Sequence, residues 1–329
     1  LQSRDAGGKQ IKLRYKVLII VLAMILIVPG FLFSSMVIKS DEQTNPYTVF
    51  TNSFEKTLPH ENETFRILSD VNFDRPFVQQ NSYDLIVDKN GEGDYITIQD
   101  AIDNAPDMAT ILVKAGTYAE IIEIKKSVTL IGEDSVLINP VSKKNSYSIR
   151  IGAPGTKLSK LSITNGAPGP CASGIYVCSS NTEIEDCSIY DTPIGVAVWT
   201  SSNVIKNCRF WGCRDEGVAL LGSISSACNN NRITNCVFYN NCDGVELQYS
   251  SNNMIFGCEF YENTHTAIDA IAESNNENTI SSCKIYNNTC NGIYLSSSSN
   301  NLITGCYISN NKNGDVVEIG NSYNNEITS

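Results

Sequence analysis

Positive charge is scarce once the first forty residues are passed. Of the 24 Lys and Arg, six (Arg4, Lys9, Lys12, Arg14, Lys16, Lys39) precede residue 40 beside a single acid, Asp5; beyond them 18 basic residues face 34 acidic ones, a net of −16. A surface this negative excludes nucleic acid as a partner and charge-driven capture of polyanions, while remaining compatible with neutral glycans and cations. Histidine is nearly absent, with only His60 and His265, so schemes that depend on an imidazole have few options. There are two tryptophans, Trp199 and Trp211. Both fall inside the repeats described next.

What is present is repetition. Six phrases share one pattern: Ile184-Glu-Asp-Cys187-Ser-Ile189, Ile205-Lys-Asn-Cys208-Arg-Phe210, Ile233-Thr-Asn-Cys236-Val-Phe238, Ile255-Phe-Gly-Cys258-Glu-Phe260, Ile280-Ser-Ser-Cys283-Lys-Ile285 and Ile303-Thr-Gly-Cys306-Tyr-Ile308. Their cysteines are 21, 28, 22, 25 and 23 residues apart, the period of a solenoid. Between them recurs Gly-Ile/Val-x-Val/Leu, at Gly174, Gly195, Gly217, Gly244 and Gly292. Strands of this length, separated by Asn, Ser and Gly, satisfy their backbones only by pairing with their counterparts one coil away. The expected fold is all-β: a right-handed parallel β-helix whose like positions stack about 4.8 Å apart. Ile, Cys and Ile/Phe of each phrase should face inward. Leu161 at the Cys position of the earlier coil Leu158–Ile163 agrees with a dry interior.

Twelve cysteines in an exported chain would ordinarily suggest a disulfide framework. Six of them lie in one inward ladder, where Cys acts as a small apolar residue and parallel side chains are poorly placed to bond. The other six, Cys171, Cys178, Cys213, Cys228, Cys242 and Cys290, fall near turns. Cys213 and Cys242, ahead of adjacent Gly strands, are the pair to test for a disulfide.

Five basic residues lie between Arg4 and Lys16, ahead of an apolar span from Val17 to Ile38 that Pro29-Gly30 interrupts. The span is long enough for a transmembrane helix, and the positive-inside rule puts residues 1–16 in the cytoplasm and the rest outside. A cleaved signal peptide is the rival reading, but no small-x-small site follows, which favours an uncleaved signal-anchor over residues 17–38. Residues 39–83, polar and carrying Pro46, Pro59 and Pro76, read as a stalk. The chain stops at Ser329, one residue before the next ladder position, so a further coil and a C-terminal cap are expected beyond it.

Residues 84–140 read as an N-terminal cap and the first coils, and 141–329 as the remaining repeats. Ile98, Ala101, Ile102 and Ala105 lie on one side of a short helical stretch, suited to closing the open end of a solenoid core. The stretch Ile86-Val-Asp-Lys-Asn-Gly-Glu-Gly-Asp-Tyr-Ile-Thr-Ile-Gln-Asp-Ala-Ile-Asp, with Ala115-Gly-Thr-Tyr-Ala-Glu120 and Val128-Thr-Leu-Ile-Gly-Glu133, resembles the opening segment of pectin methylesterases, within the pectin-lyase-like superfamily. The later coils resemble the parallel β-helix repeats of NosD-type surface proteins. The resemblance covers about residues 84 to 329 and implies a fold more than an activity. The Gly-x-x-Asp-Phe-Ile-Phe-Gly segment of pectin methylesterases is missing. So are the Asn-Thr-Asp, Asp-Asp, Gly-His-Gly and Arg-Ile-Lys set of polygalacturonases and the Asp-Pro-His of alginate epimerases.

The superfamily commonly binds saccharides on the outer face of the Gly-containing strand. The residue two after each Gly position is Tyr176, Ala197, Ala219, Glu246, Asp269, Tyr294 and Glu318 in turn, with Trp199 two places beyond Ala197. Tyr176, Trp199 and Tyr294 are therefore candidate sugar-stacking residues. Glu246 and Asp269, one rung apart, repel, so one of them should hold its proton more tightly. That spacing suits a retaining glycosidase pair, with His265 close by; together with Asp243 it would equally suit Ca²⁺, and no cofactor is required otherwise. Arg214, Asp215 and Glu216 are the next candidates, Arg214 for substrate. A solvated acidic patch is the alternative. Two readings of function follow: a membrane-anchored extracellular rod, structural or adhesive toward cell-envelope or environmental polysaccharide, or a glycoside hydrolase or lyase acting on such a polymer. A soft-metal delivery role would depend on the turn cysteines. Oligomeric state is not encoded in any pattern here.

Overall fold

The computed structural model describes residues 83–140, 147–164, 172–271 and 274–328. The expected cytoplasmic segment, membrane helix and stalk, and Cys171, lie outside the described residues. Among the described residues no helix is long and apolar enough to cross a membrane.

Each complete coil among the described residues has three short strands, the first and last coils contributing one each, and every strand pairs in parallel with its equivalents in the adjoining coils. Three sheets result. Sheet A has 11 strands, from Leu85–Val87 to Glu326–Thr328; sheet B has nine, from Gly116–Tyr118 to Tyr307–Ser309; sheet C has nine, from Ile122–Ile124 to Gly314–Ile319. In a representative coil the strands are Glu183–Glu185, Ser188–Tyr190 and Ile194–Val198. The Ile-x-x-Cys-x-Ile/Phe phrase spans A and B, and the Gly phrase is the strand of C. The coil winds right-handed, as parallel crossovers do.

The corner between A and B explains the residue before each ladder cysteine. Asp186, Asn207, Asn235 and Ser282 sit there at φ 52°, 54°, 53° and 54°. This left-handed conformation is one that Asn and Asp tolerate better than most side chains. Gly257 and Gly305 take the same place in their coils. One such residue turns the chain sharply and sends Ile184, Cys187 and Ile189, each at most 1% exposed, into one core.

Ladders fill the interior. Phe210, Phe238 and Phe260 stack with centroids 4.8 and 4.7 Å apart. The Gly of sheet C makes room for them: a Cβ at Gly217 would come 2.6 Å from the Phe238 ring, and one at Gly244 2.6 Å from the Phe260 ring. Buried asparagines line one corner. Asn231 Oδ1 accepts the Asn203 backbone N–H at 2.9 Å and its Nδ2–H at 3.1 Å, and the pattern continues through Asn253, Asn278 and Asn301 to Asn325. Each amide thus satisfies a corner backbone donor that burial would leave unpaired.

The expected cap helix, α1 (Ile98–Asn104), is present and buries Ile98, Ala101 and Ile102 against the first coils. Thr97 caps its N-terminus, and the Glu120 carboxylate accepts the N–H groups of Ile98 and Gln99 at 2.9 and 3.0 Å. Glu120 ends the Ala115–Glu120 motif. Its role is to satisfy the helix's orphan donors.

Candidate functional site

The outer face of sheet C carries one ladder in register: Tyr176, Ala197, Ala219, Glu246, Asp269, Tyr294. Two details differ from the sequence expectation. Val317, not Glu318, follows Tyr294; Glu318 pairs with Leu295 and is exposed, because strand Gly314–Ile319 enters one residue out of the expected register. Arg150 precedes Tyr176 on the other side, and the strand Tyr147–Ile151 brings Tyr147 to the same face.

Aromatic rings occupy the N-terminal part of this face. Tyr147 and Tyr176 have centroids 6.0 Å apart at 39°, and Tyr176 and Trp199 are 6.0 Å apart at 32°. Tyr176 and Trp199, both half-buried, pack on Ile194, Ala197, Ala219 and Leu221. The alanines keep the floor low beside the rings.

Next to this platform lies the acidic group, and it is not a solvated patch. Glu216, Asp243 and Asp269 are only 5%, 6% and 5% exposed, with Glu246 half-buried. Glu216 and Asp243 pair across adjacent coils, as do Glu246 and Asp269. Glu216, which the sequence ranked second, is thus central; the signal for it was its place just before Gly217, the position Asp243 holds before Gly244. Arg214 and Asp215 are exposed, and among the described residues neither makes a salt bridge.

Burial sets the electrostatics. It raises the Asp269 carboxyl to about 7, with the nearby Asp243 and Glu246 adding to the effect and His265 opposing it. Burial, then Glu246 and Asp215, push Glu216 far above the usual carboxyl range. Glu246 is raised as well, mainly by burial, with Asp215 and Asp243 adding to the rise and the neighbouring Glu216 opposing it. Asp243 is also raised by burial, less strongly, because its Oδ1 accepts the Thr266 backbone N–H at 2.6 Å and lies 2.8 Å from His265 Nδ1. Neighbouring acids whose environments drive them apart in this way are able to divide the parts of proton donor and proton acceptor.

Six buried polar side-chain atoms among the described residues have no hydrogen-bond partner. Five of them, Ser173 Oγ, Trp199 Nε1, Glu216 Oε2, Thr266 Oγ1 and Asp269 Oδ1, lie in or beside sheet C strands. Native folds rarely leave such atoms unpaired, so their concentration on one face marks it out. The three groups whose ligand atoms come within 4.8 Å of one another are Asp243, His265 and Asp269. Glu246, part of the expected Ca²⁺ set, is not in this group. Tyr294 flanks the acids one rung beyond Asp269.

Cys213 and Cys242 occupy adjacent coils, with the Cys242 N–H donating to the Cys213 carbonyl at 3.1 Å, but both thiols are free. Cys213 Sγ instead lies 3.5 Å from Thr192 Oγ1. A shallow hollow lined by Glu133, Lys160 and Asp186 opens at the corner between A and B, away from this face.

No curated protein matches the chain. Among solved structures it is similar to the enzymatically active domain of bacteriophage CBA120 tailspike protein 2, at 14% identity and a TM-score of 0.51, covering 70% of this chain and 39% of that one. The chain therefore spans well under half of that tailspike domain. It is also similar to pectate lyase Pel9A, at 15% identity and a TM-score of 0.51, covering 71% and 73%. Pectin methylesterase from carrot follows at 15% identity and 0.49, covering 72% and 89%. At these identities the likeness is one of fold. The model of the right handed beta helix region matches residues 127–241 and 173–329, more than half of the chain, which places the protein in the right-handed β-helix family.

Proposed function

We propose that this chain is a polysaccharide-binding β-helix protein that lays a glycan across the outer face of sheet C, from Tyr147, Tyr176 and Trp199 over the alanine floor to Glu246, Asp269 and Tyr294. The observation that carries the reading is the gathering of five unpartnered buried polar atoms on that face beside tilted, half-buried rings. A saccharide offers what both halves of the face call for: ring faces for the aromatics and hydroxyls for the orphaned donors and acceptors. From Tyr176 to Tyr294 the ladder spans five rungs, about 24 Å at the usual strand spacing. The expected setting is outside the cell, tethered through residues 17–38.

Hydrolysis is the second reading, and the acid pair favours it. Asp269, raised to about 7, would donate a proton to a glycosidic oxygen, and Glu246 would act as the nucleophile one rung away. A rung of about 4.8 Å is close to the carboxyl spacing of retaining glycosidases.

The deciding experiment is a glycan array, with a depolymerisation assay, on the full chain and on Trp199→Ala and a Glu246→Ala/Asp269→Ala double variant. Binding lost with Trp199→Ala supports the adhesive reading. Turnover lost with the double variant makes the protein an enzyme. Correctly folded protein that binds no glycan at all overturns both.

A further inference from the structure

Asp243, His265 and Asp269 come from two successive coils. Asp243 opens the strand Asp243–Gln248, while His265 lies in the turn before the strand Ile268–Ile271 that carries Asp269. We propose that these three side chains form a binding site for a borderline divalent transition-metal ion, with Zn²⁺ as the representative. This goes beyond the saccharide reading and does not depend on it.

Three observations carry the proposal. First, one ligand atom from each residue lies within 4.8 Å of the other two. Metal–ligand bonds to imidazole nitrogen and carboxylate oxygen are about 2.0–2.2 Å, so three such atoms can close on one ion with small side-chain rotations. Second, Asp269 is 5% exposed, yet its Oδ1 has no hydrogen-bond donor. A buried carboxylate oxygen without a donor is costly, and a cation is the partner that would satisfy it. Third, Asp243 is already oriented. Its Oδ1 accepts the Thr266 backbone N–H at 2.6 Å and lies in hydrogen-bond contact with His265 Nδ1 at 2.8 Å, so the Asp243 and His265 side chains are held against each other before an ion arrives.

The donor set chooses the class of metal. Two carboxylates and one imidazole suit Zn²⁺ or its neighbours, whereas Ca²⁺ seeks six to eight oxygens. The His265 side chain is 47% exposed, which gives an ion a way in and leaves room for water as a further ligand. Because the ligands belong to two coils, an ion there would staple one rung of sheet C to the next. Among the described residues the cluster of converging ligand atoms includes neither Glu216 nor Glu246.

The test is Zn²⁺ titration calorimetry on the metal-stripped full chain, without glycan, beside Co²⁺ absorption spectra. One site per chain is expected, weakened at least tenfold in His265→Ala and in the near-isosteric Asp269→Asn, and unchanged in Asp134→Asn, an exposed acid several coils away. Thermal unfolding of each variant without metal checks that it is folded, and added Zn²⁺ should raise the melting temperature of the parent but not of His265→Ala. Tight binding that persists in both His265→Ala and Asp269→Asn overturns the proposal. So does a Co²⁺ spectrum dominated by thiolate charge transfer and abolished in Cys242→Ser, or the absence of any site at micromolar Zn²⁺.

Discussion

Two outer faces of this solenoid carry aromatic rungs, and they are built differently. On sheet B, Tyr190, Trp211, Tyr239, Tyr261 and Tyr286 stack at 4.5, 5.8, 5.2 and 5.5 Å, with no pair more than 12° from parallel. On sheet C, Tyr147, Tyr176 and Trp199 are 6.0 Å apart and tilted by 39° and 32°. In the first ladder ring faces are spent on one another and the edges meet solvent. In the second the rings are tilted to one another, and the neighbours are alanines and buried acids rather than more rings. The same repeat unit thus yields a continuous aromatic rib on one side and a mixed face of tilted rings, alanines and buried acids on another. What separates them is whether the pattern continues from coil to coil: B repeats its aromatic five times, while C changes residue type at nearly every rung.

The largest effect should come from the core stack on which both faces rest. Phe238→Ala empties a fully buried site between Phe210 and Phe260 and should cost about 4 kcal/mol in urea unfolding. Tyr239→Ala tests the rib directly. It removes two stacking contacts, so a loss of about 2 kcal/mol with glycan binding intact is expected; weakened glycan binding would erase the distinction between the faces.

Asp269→Asn sharpens the comparison from the other side. The folded-state pKa of about 7 lies above the ordinary aspartate value of 3.8, so the folded protein binds this proton more tightly than the unfolded chain. The contribution of Asp269 to stability is therefore most favourable below about pH 4 and declines as pH rises toward 7. In metal-free buffer the Asn variant should lose that slope and be more stable than the parent above pH 8 by about 1–2 kcal/mol. An unchanged pH profile of unfolding would return the acids to a solvated patch. The smallest effect on stability belongs to Trp199→Ala, about 1 kcal/mol or less for a half-buried ring, paired with at least a tenfold loss of glycan affinity.

Much of this was legible in the residues. The inward ladders of Ile, Cys and Phe, the three-strand coil and the cap helix follow from period and polarity, because a parallel ladder repeats its environment at every rung. Tyr176, Trp199, Glu246 and Asp269 were legible as one face for the same reason. Glu318 was not, since the pairing with strand Asn291–Ser296 sets Val317 beside Tyr294 and Glu318 beside Leu295, a register that the spacing from the preceding coil does not reveal. Nor could the sequence tell that the acids are buried: outward-pointing carboxylates are ordinarily solvated, and only the packing of adjacent rungs around Glu216, Asp243 and Asp269 removes water from them.

The sequence by itself determined the solenoid, its corners and its core, since those depend on short-range conformational preference and on apolar period. Only the tertiary structure decided which acids meet: His265 faces Asp243 from the next coil, Glu246 helps to push the Glu216 carboxyl up, and Asp269 Oδ1 is left without a donor. These are relations between rungs, set by register and side-chain direction across about 4.8 Å, and no spacing along the chain specifies them.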